Sequence, residues 1–428
     1  MELKGKKLLL MGGGAYAEDI KKYKTEKGFE CISVGRTEDK RTSCFCEKYF
    51  KVDREDIKAI SEIVKKEGID GIFVGSSEDN ISSAIEVAEK TGCRFYVSRE
   101  QWDILSNKAK FKEYSRKFGF PVIPEFHLSD NPSDEEIESL PYPIMIKPTD
   151  SSGARGMNPC FSSEDFKRLY NEALSWSRKK EIIVEKLITG AKEVFVNYTI
   201  QDGLPTLSYC FTKVKVNTEN NSILVPLFHT YPSRYLNEYI KGVNESAKRL
   251  IQGIGLQNGT LTLQGFYLEG KFYFFEAGFR MGGAQAYILT DYNNGANVLK
   301  YMINYALCGK MSEDNLSTIE RADFKYPCCN YYFALKPGIV GNIRGLDEIK
   351  GFKSVLNVTE YCNTGTVIED TNALERIGYR IHVVGNNIND LAQQLVRISS
   401  TLKVISDKGE DMQLEQLSME RCLAAINE

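Results

Sequence analysis

Three stretches of the chain carry residue types suited to phosphate chemistry. Phe272-Tyr-Phe-Phe-Glu-Ala-Gly-Phe-Arg280 reads as a strand that ends in an acid, with an arginine four residues on. Ile144-Met-Ile-Lys147 reads as a short apolar strand that ends in a lysine, and Thr149-Asp-Ser-Ser-Gly-Ala-Arg-Gly156 follows it as a loop of small residues. A carboxylate suits Mg²⁺, a lysine suits phosphate, and a glycine loop can close over a triphosphate. Together they predict an enzyme that consumes ATP.

Each stretch has a physical argument behind it. An unpaired ammonium at the end of a buried strand is costly, so Lys147 needs an anionic partner. Ser151, Ser152, Gly153 and Gly156 would let backbone N–H groups approach phosphates and let the loop open for exchange. Thr260-Leu-Thr-Leu-Gln264 and Phe272 to Glu276 flank a turn at Glu269-Gly-Lys271. A three-residue loop centred on Gly270 would set Gln264 and Glu276 opposite each other on one face, whereas a two-residue turn would throw them to opposite faces. The first register makes a site for Mg²⁺ or Mn²⁺.

Those residues need a scaffold. Residues 1–98 alternate strand and helix, with strands expected at Lys7–Met11, Cys31–Val34, Gly71–Val74 and Arg94–Val97. That pattern implies a parallel sheet covered by helices. Gly12-Gly-Gly14 lacks the third glycine of a dinucleotide fingerprint, so close packing explains it better than NAD. Residues 99–125 read as helical up to the prolines, Ser163–Lys180 as a helix, and Glu181–Ile188, Glu193–Gln201 and Thr206–Val216 as strands. Tyr239–Ile254 reads as one helix before the acidic hairpin. Beyond 320 another α/β segment has strands near 331–335, 366–368 and 380–384.

At 428 residues the chain is long enough for two to four subdomains. A net charge of −3 gives no electrostatic footprint for nucleic acid. No apolar run approaches the roughly 20 residues that span a bilayer, and Leu8-Leu-Leu-Met11 is too short for a signal-peptide core. Eleven cysteines without metal spacing read as reduced core thiols of a cytoplasmic protein. Three histidines make a histidine-rich zinc site a poor reading.

The order of these motifs resembles the ATP-grasp superfamily over roughly residues 1–310, closest in look to L-amino acid ligases and to the group of biotin carboxylases and carbamoyl-phosphate synthetase large chains. The resemblance implies an ATP-grasp fold of class α/β. Residues 1–98 would be a Rossmann-like leading domain, 99–310 the ATP-grasp domain with a mobile lid over about 112–185, and 311–428 a C-terminal α/β domain. It implies that Lys108, opening a helix after Ser106-Asn107, and Lys147 contact the nucleotide phosphates. By residue type alone Lys108 would be a solvent-facing helix lysine like Lys110 and Lys112. Val184-Glu185-Lys186-Leu187 resembles the hinge that reads adenine, and Glu193 the acid on the ribose hydroxyls. By type alone Glu185 and Glu193 would be surface partners of Lys186 and Lys192. Glu276 and Gln264 match the metal pair and Arg280 the arginine that steadies the acyl phosphate. Gln264 replaces the more usual acid, as carbamoyl-phosphate synthetases also allow, and Gly278 stands where the family often has Asn. His229 and Ser233 fall where related ligases often contact the acceptor substrate, although a packed loop histidine fits His229 equally.

The function this implies is carboxylate–amine ligation through an acyl phosphate, with ATP and Mg²⁺ as cofactors and a small carboxylate and amine as partners. Neither nucleic acid nor membrane is expected, and a homodimer is an allowed assembly. Two other readings stay open: a bicarbonate-using subunit like biotin carboxylase or carbamoyl-phosphate synthetase, and a nucleotide-binding regulator without turnover. No Met-Lys-Met site for attached biotin occurs.

Overall fold

Leu8, Leu9 and Leu10 are fully buried, as a central strand covered on both faces requires. They lie on β1 (Lys7–Leu10), which pairs in parallel with β2 (Glu30–Gly35) and β4 (Gly71–Phe73), while β3 (Lys48–Lys51) adds to the far side of β2. The expected strand at Arg94–Val97 reduces to a single bridge between Gly71 and Arg94. The fourth strand is instead β3, whose Lys-Tyr-Phe-Lys sequence has exposed ends and no apolar run to announce it. Gly75 has φ 64, and a Cβ there would lie 3.1 Å from the Gly13 backbone, so the loops after β1 and β4 touch through glycine.

The computed structural model describes residues 1–129, 131–150, 155–216, 225–371 and 374–427. Helix Arg99–Ser106 stops at Asn107, whose extended backbone begins a second helix, Lys108–Lys117. The helical stretch thus divides where Lys108 is expected to open a helix, and the Asn107 side chain caps it by accepting from the Lys110 N–H at 3.0 Å. The helix ends before Gly119, at φ 67. Tyr239–Ile254 likewise divides into Leu236–Gly242 and Asn244–Ile254, and the helix expected to reach Lys180 ends at Trp176.

A small antiparallel sheet, in the order β5-β8-β6-β7, comprises β5 (Glu125–Phe126), β6 (Ile144–Pro148), β7 (Asn158–Cys160) and β8 (Ile182–Lys186). It has its own core around Ile144, Ile146, Cys160, Phe166 and Val184. This is the segment expected as a lid. Ser151, Ser152 and Gly153 of its small-residue loop lie outside the described residues.

The central chain forms β9 (Lys192–Gln201), β10 (Leu204–Lys215), β11 (Pro226–Tyr231), β12 (Gly259–Leu268) and β13 (Lys271–Phe279). The C-terminal part adds β14 (Cys328–Ala334), β15 (Gly338–Arg344), β16 (Val355–Glu360), β17 (Val367–Ile368), β18 (Ile377–Val384) and β19 (Lys403–Ser406). Three of these strands extend the central sheet, which runs β13-β12-β9-β10-β11-β14-β18-β16, while β17-β15-β19 stand apart. Direct register sets Glu193, Lys213, His229, Asn330 and His382 side by side across five strands, so one sheet face carries a polar row. Among the described residues no helix is long and apolar enough to cross a membrane.

Candidate active site

The helix Lys108–Lys117 buries Lys108, Phe111, Lys112 and Ser115, an i, i+3, i+4, i+7 stripe. Lys108 points its Nζ to within 3.7 Å of Glu276 Oε1 on β13. Its backbone N–H donates to Thr149 O at 3.0 Å, joining the helix to the end of the lid strand β6. Lys112 lies one turn deeper and is fully buried, which corrects the expectation of a solvent-facing lysine.

Lys147 Nζ sits 2.5 Å from Glu185 Oε1, and Lys112 Nζ donates to the other oxygen of the same carboxylate. Glu125 completes the cluster 3.5 Å from Lys112 and is itself bridged by Arg116. Burial pushes Lys112 down to about 8, against the pull of Glu185. Glu185 is therefore buried between two lysines and is no surface partner of Lys186. Lys186 and Leu187 follow at the strand end, with Lys186 exposed and its N–H on Pro124 O at 2.9 Å. Glu193 likewise turns from Lys192 to the next strand, 3.2 Å from Lys213 and 3.8 Å from Lys215.

Gln264 and Glu276 stand directly opposite on one hairpin, as expected, but by a different device. The turn has two residues, Glu269 and Gly270, with φ 50 and 79, and Leu268 pairs Lys271. The extra residue is a β-bulge at Phe275: Gly265 pairs Phe274 while Gln264 pairs Glu276. Phe274 is buried in the core, and the bulge leaves Phe275 and Glu276 on the same, partly open face. The three-residue loop is thus wrong and the facing pair right. A Cβ on Gly278 would meet nothing nearer than the Arg280 guanidinium at 3.9 Å, so packing does not force the missing Asn.

Arg280 ends the hairpin. Its Nε and Nη2 donate to Glu78 Oε1 of the leading domain at 3.0 and 2.7 Å. Between Glu78, Lys108 and Glu276 on one side and Asp150, Arg155, Trp176 and Arg178 of the small-sheet segment on the other lies a cleft of about 570 Å³. Gly156, the described end of the small-residue loop, has φ 73 and sits against Trp176. Lys112, Glu78 and the basic lid residues escaped the sequence reading. Of these only Lys112 carried a signal, its spacing on the stripe with Lys108, Phe111 and Ser115.

His229 and Ser233 are buried beside this face rather than in the cleft lining. His229 stacks on Phe211 at 4.4 Å, its Nδ1 lies 3.1 Å from the Tyr332 hydroxyl, and burial holds it neutral. Ser233 pairs its hydroxyl with that of Thr212 at 2.7 Å and accepts from the Tyr235 N–H at 3.2 Å, the geometry of a local turn.

Among the described residues no group of three metal-type side chains gathers. The facing oxygens of Glu276 and Gln264 are hard donors, and Mg²⁺ is held by one or two carboxylates plus substrate phosphates and water, so the pair fits that ion.

The leading parallel sheet, the small antiparallel sheet and the hairpin that carries Glu276 together define the ATP-grasp fold. Residues 107–314 match the family described as carbamoyl-phosphate synthase L chain, ATP binding domain. Formate-dependent phosphoribosylglycinamide formyltransferase of Sulfurisphaera tokodaii is 22% identical over 255 residues, covering 58% of this chain and 64% of that protein. An L-amino acid ligase from Bacillus licheniformis superposes with a TM-score of 0.76 at 16% identity, covering 95% of this chain and 100% of that one. The biotin carboxylase domain of Hydrogenobacter thermophilus 2-oxoglutarate carboxylase, solved with MgADP and bicarbonate, gives 0.75 at 16% identity, covering 95% and 91%. The alignments span less than two thirds of the curated relatives' own length, 64%, 24% and 65% for three of them.

Proposed function

We propose that the chain is an ATP-dependent carboxylate–amine ligase with Mg²⁺ as its metal. The observation that carries this reading is the pairing of Lys108 with Glu276 at the wall of one charged cleft, with Arg280 held by Glu78 of the same wall and the buried Lys147 on the neighbouring strand β6. Lys108 and Lys147 bind and neutralise the phosphates. Glu185, Lys186 and Leu187 hold the adenine, Glu193 the ribose, and Ser151, Ser152, Gly153 and Gly156 cover the phosphates. Glu276 and Gln264 would hold Mg²⁺, which supplies charge neutralisation and alignment of the phosphoryl group when bound. A substrate carboxylate oxygen attacks the γ-phosphorus and ADP leaves, giving an acyl phosphate. The amine then attacks the acyl carbon, phosphate departs, and the nitrogen loses a proton. Arg280, oriented by Glu78, would steady the charge on the acyl phosphate and its adduct. His229, neutral and stacked, borders the acceptor side with Ser233.

A second reading, in which bicarbonate replaces the organic acid, draws on the likeness in fold to the biotin carboxylase domain solved with bicarbonate. A phosphate-release screen over carboxylate and amine pairs, with a bicarbonate arm, separates the two. Release that depends on an amine together with an organic acid supports ligation. Release that depends on bicarbonate alone overturns it.

A further inference from the structure

Two acids behind the small sheet are shared among three cations. Glu185 on β8 takes Lys147 of β6 on one oxygen and Lys112 on the other. Glu125 on β5 takes Arg116, which reaches in from the surface, and lies 3.5 Å from Lys112. Lys112 and Lys147 are 0% and 1% exposed and Glu185 is 2% exposed, so water screens little of their charge. The shared cation is Lys112: if Lys147 leaves, Lys112 remains on Glu185 and Arg116 on Glu125, and each acid keeps a cation of its own.

The two lysines are not held alike. Besides Glu185, Lys112 Nζ donates to Ile123 O at 3.3 Å, and Ile123 is tied to β13 by its N–H on Phe274 O at 3.1 Å. Lys147 has Glu185 as its single ionic partner among the described residues. The Phe275 ring lies 5.7 Å from Lys147 Nζ, and Phe275 shares the partly open face of the bulge with Glu276. Lys147 is not part of the cleft wall, so a phosphate there is met by turning from Glu185 past Phe275. With Lys112 in place that turn leaves no acid alone. Without its charge the same turn would strand a buried carboxylate, which is the costly state of a broken ion pair.

We propose that Lys112 is a positioning residue for the nucleotide: it stays on Glu185 as the standing counter-ion and so frees Lys147 to bind phosphate. This rests on the reading of Lys147 as a phosphate ligand and adds to it a residue that touches no substrate. The groups facing Lys112 are Glu185 of β8, Glu125 of β5, Lys147 of β6 and Arg116 of its own helix. Burial, against the pull of Glu185, brings its ammonium down to about 8. Its charge is therefore lost as pH rises through 8, and nucleotide affinity falls with it.

The test is the MgADP affinity of the full chain, measured by titration calorimetry from pH 7 to 9.5. At pH 7, Lys112→Met raises the Kd by about tenfold or more, whereas Glu185→Gln leaves it unchanged or lower. The double variant Lys112→Met/Glu185→Gln returns to within about threefold of Glu185→Gln, because the acid that would be stranded is gone. A lysine that only supports the fold would not be rescued by removing a second member of its cluster. Across the pH series the wild-type Kd rises by about fivefold or more, while that of the double variant changes by less than about twofold. The wild-type series needs no variant and decides the matter by itself if Lys112→Met does not fold. Equal Kd values for wild type and Lys112→Met, a double variant as weak as Lys112→Met, or a wild-type Kd that stays flat from pH 7 to 9.5 each overturns the proposal. Absence of MgADP binding by wild type overturns the nucleotide site itself and with it the ligase reading.

Discussion

Lys147 Nζ lies 2.5 Å from Glu185 Oε1, while the other Glu185 oxygen is taken by Lys112. The lysine proposed to bind phosphate is thus held on a carboxylate whose charge Lys112 already compensates in part. Lys147 can exchange Glu185 for phosphate without leaving that carboxylate unpaired. The two variants of this cluster should therefore differ. Glu185→Gln leaves the buried Lys147 without its anion and Lys112 with Glu125 alone, and is expected to cost about 3–5 kcal/mol in urea unfolding. Lys112→Met leaves Lys147 paired with Glu185 and Arg116 with Glu125, and should cost less. Equal losses would show that Lys112 and Lys147 are not alternatives for one acid. The folded Lys112 sits near 8 against an ordinary value of 10.5, so the unfolded chain binds more protons between those values. Wild-type stability should accordingly rise relative to Lys112→Met as pH goes from 8 to 10.5.

Glu320 offers a second pH signature, away from the cleft. It is buried, accepts from the Ser208 hydroxyl, and makes no ion pair among the described residues. Burial raises it from 4.5 to about 7. The folded protein therefore holds this proton more tightly than the unfolded chain. The associated stability is full below pH 4.5 and is lost as pH rises through 7. Glu320→Gln, which mimics the protonated acid, should match wild type at pH 4.5 and exceed it by roughly 1–3 kcal/mol at pH 8. A constant difference across urea melts from pH 4.5 to 8 would contradict this.

Gly156 couples the loop to the lid helix. Its φ is 73, and an added Cβ would lie 2.8 Å from the Trp176 side chain. Gly156→Ala should cost about 1–2 kcal/mol in the lid and raise the KM for ATP. Adding Trp176→Ala should recover the clash but not the backbone strain. Full recovery of KM in the double variant would assign the whole effect to the clash.

Much of the site was legible because local patterns carry it. A lysine at the end of β6 and the Val184–Leu187 string needed only alternation and end position to be placed, whereas Glu276 does not end its strand, which runs on to Phe279. The pairing of Gln264 with Glu276 was reached through the wrong turn, because alternation cannot tell an extra residue in a loop from one in a bulge such as Phe275. Lys112 was missed because lysine reads as surface unless its helical stripe is followed through Phe111 and Ser115. The extension of the central sheet by Cys328–Ala334 and Ile377–Val384 depends on pairing across long sequence separations, which no window contains.

Glu276 is proposed as the charged metal ligand of an ATP-consuming site. Gln264 is neutral, so Glu276→Gln removes the only carboxylate of the facing pair while keeping its shape. It should leave the melting temperature within a few degrees of wild type, and Gln264→Glu should retain or tighten Mg²⁺ dependence. The direct measurement is ADP formation with the active substrate pair at limiting Mg²⁺. Loss of ADP formation in Glu276→Gln by at least about 100-fold, with the fold intact, is the predicted result. Wild-type rates in that variant would contradict the metal assignment and the mechanism built on it.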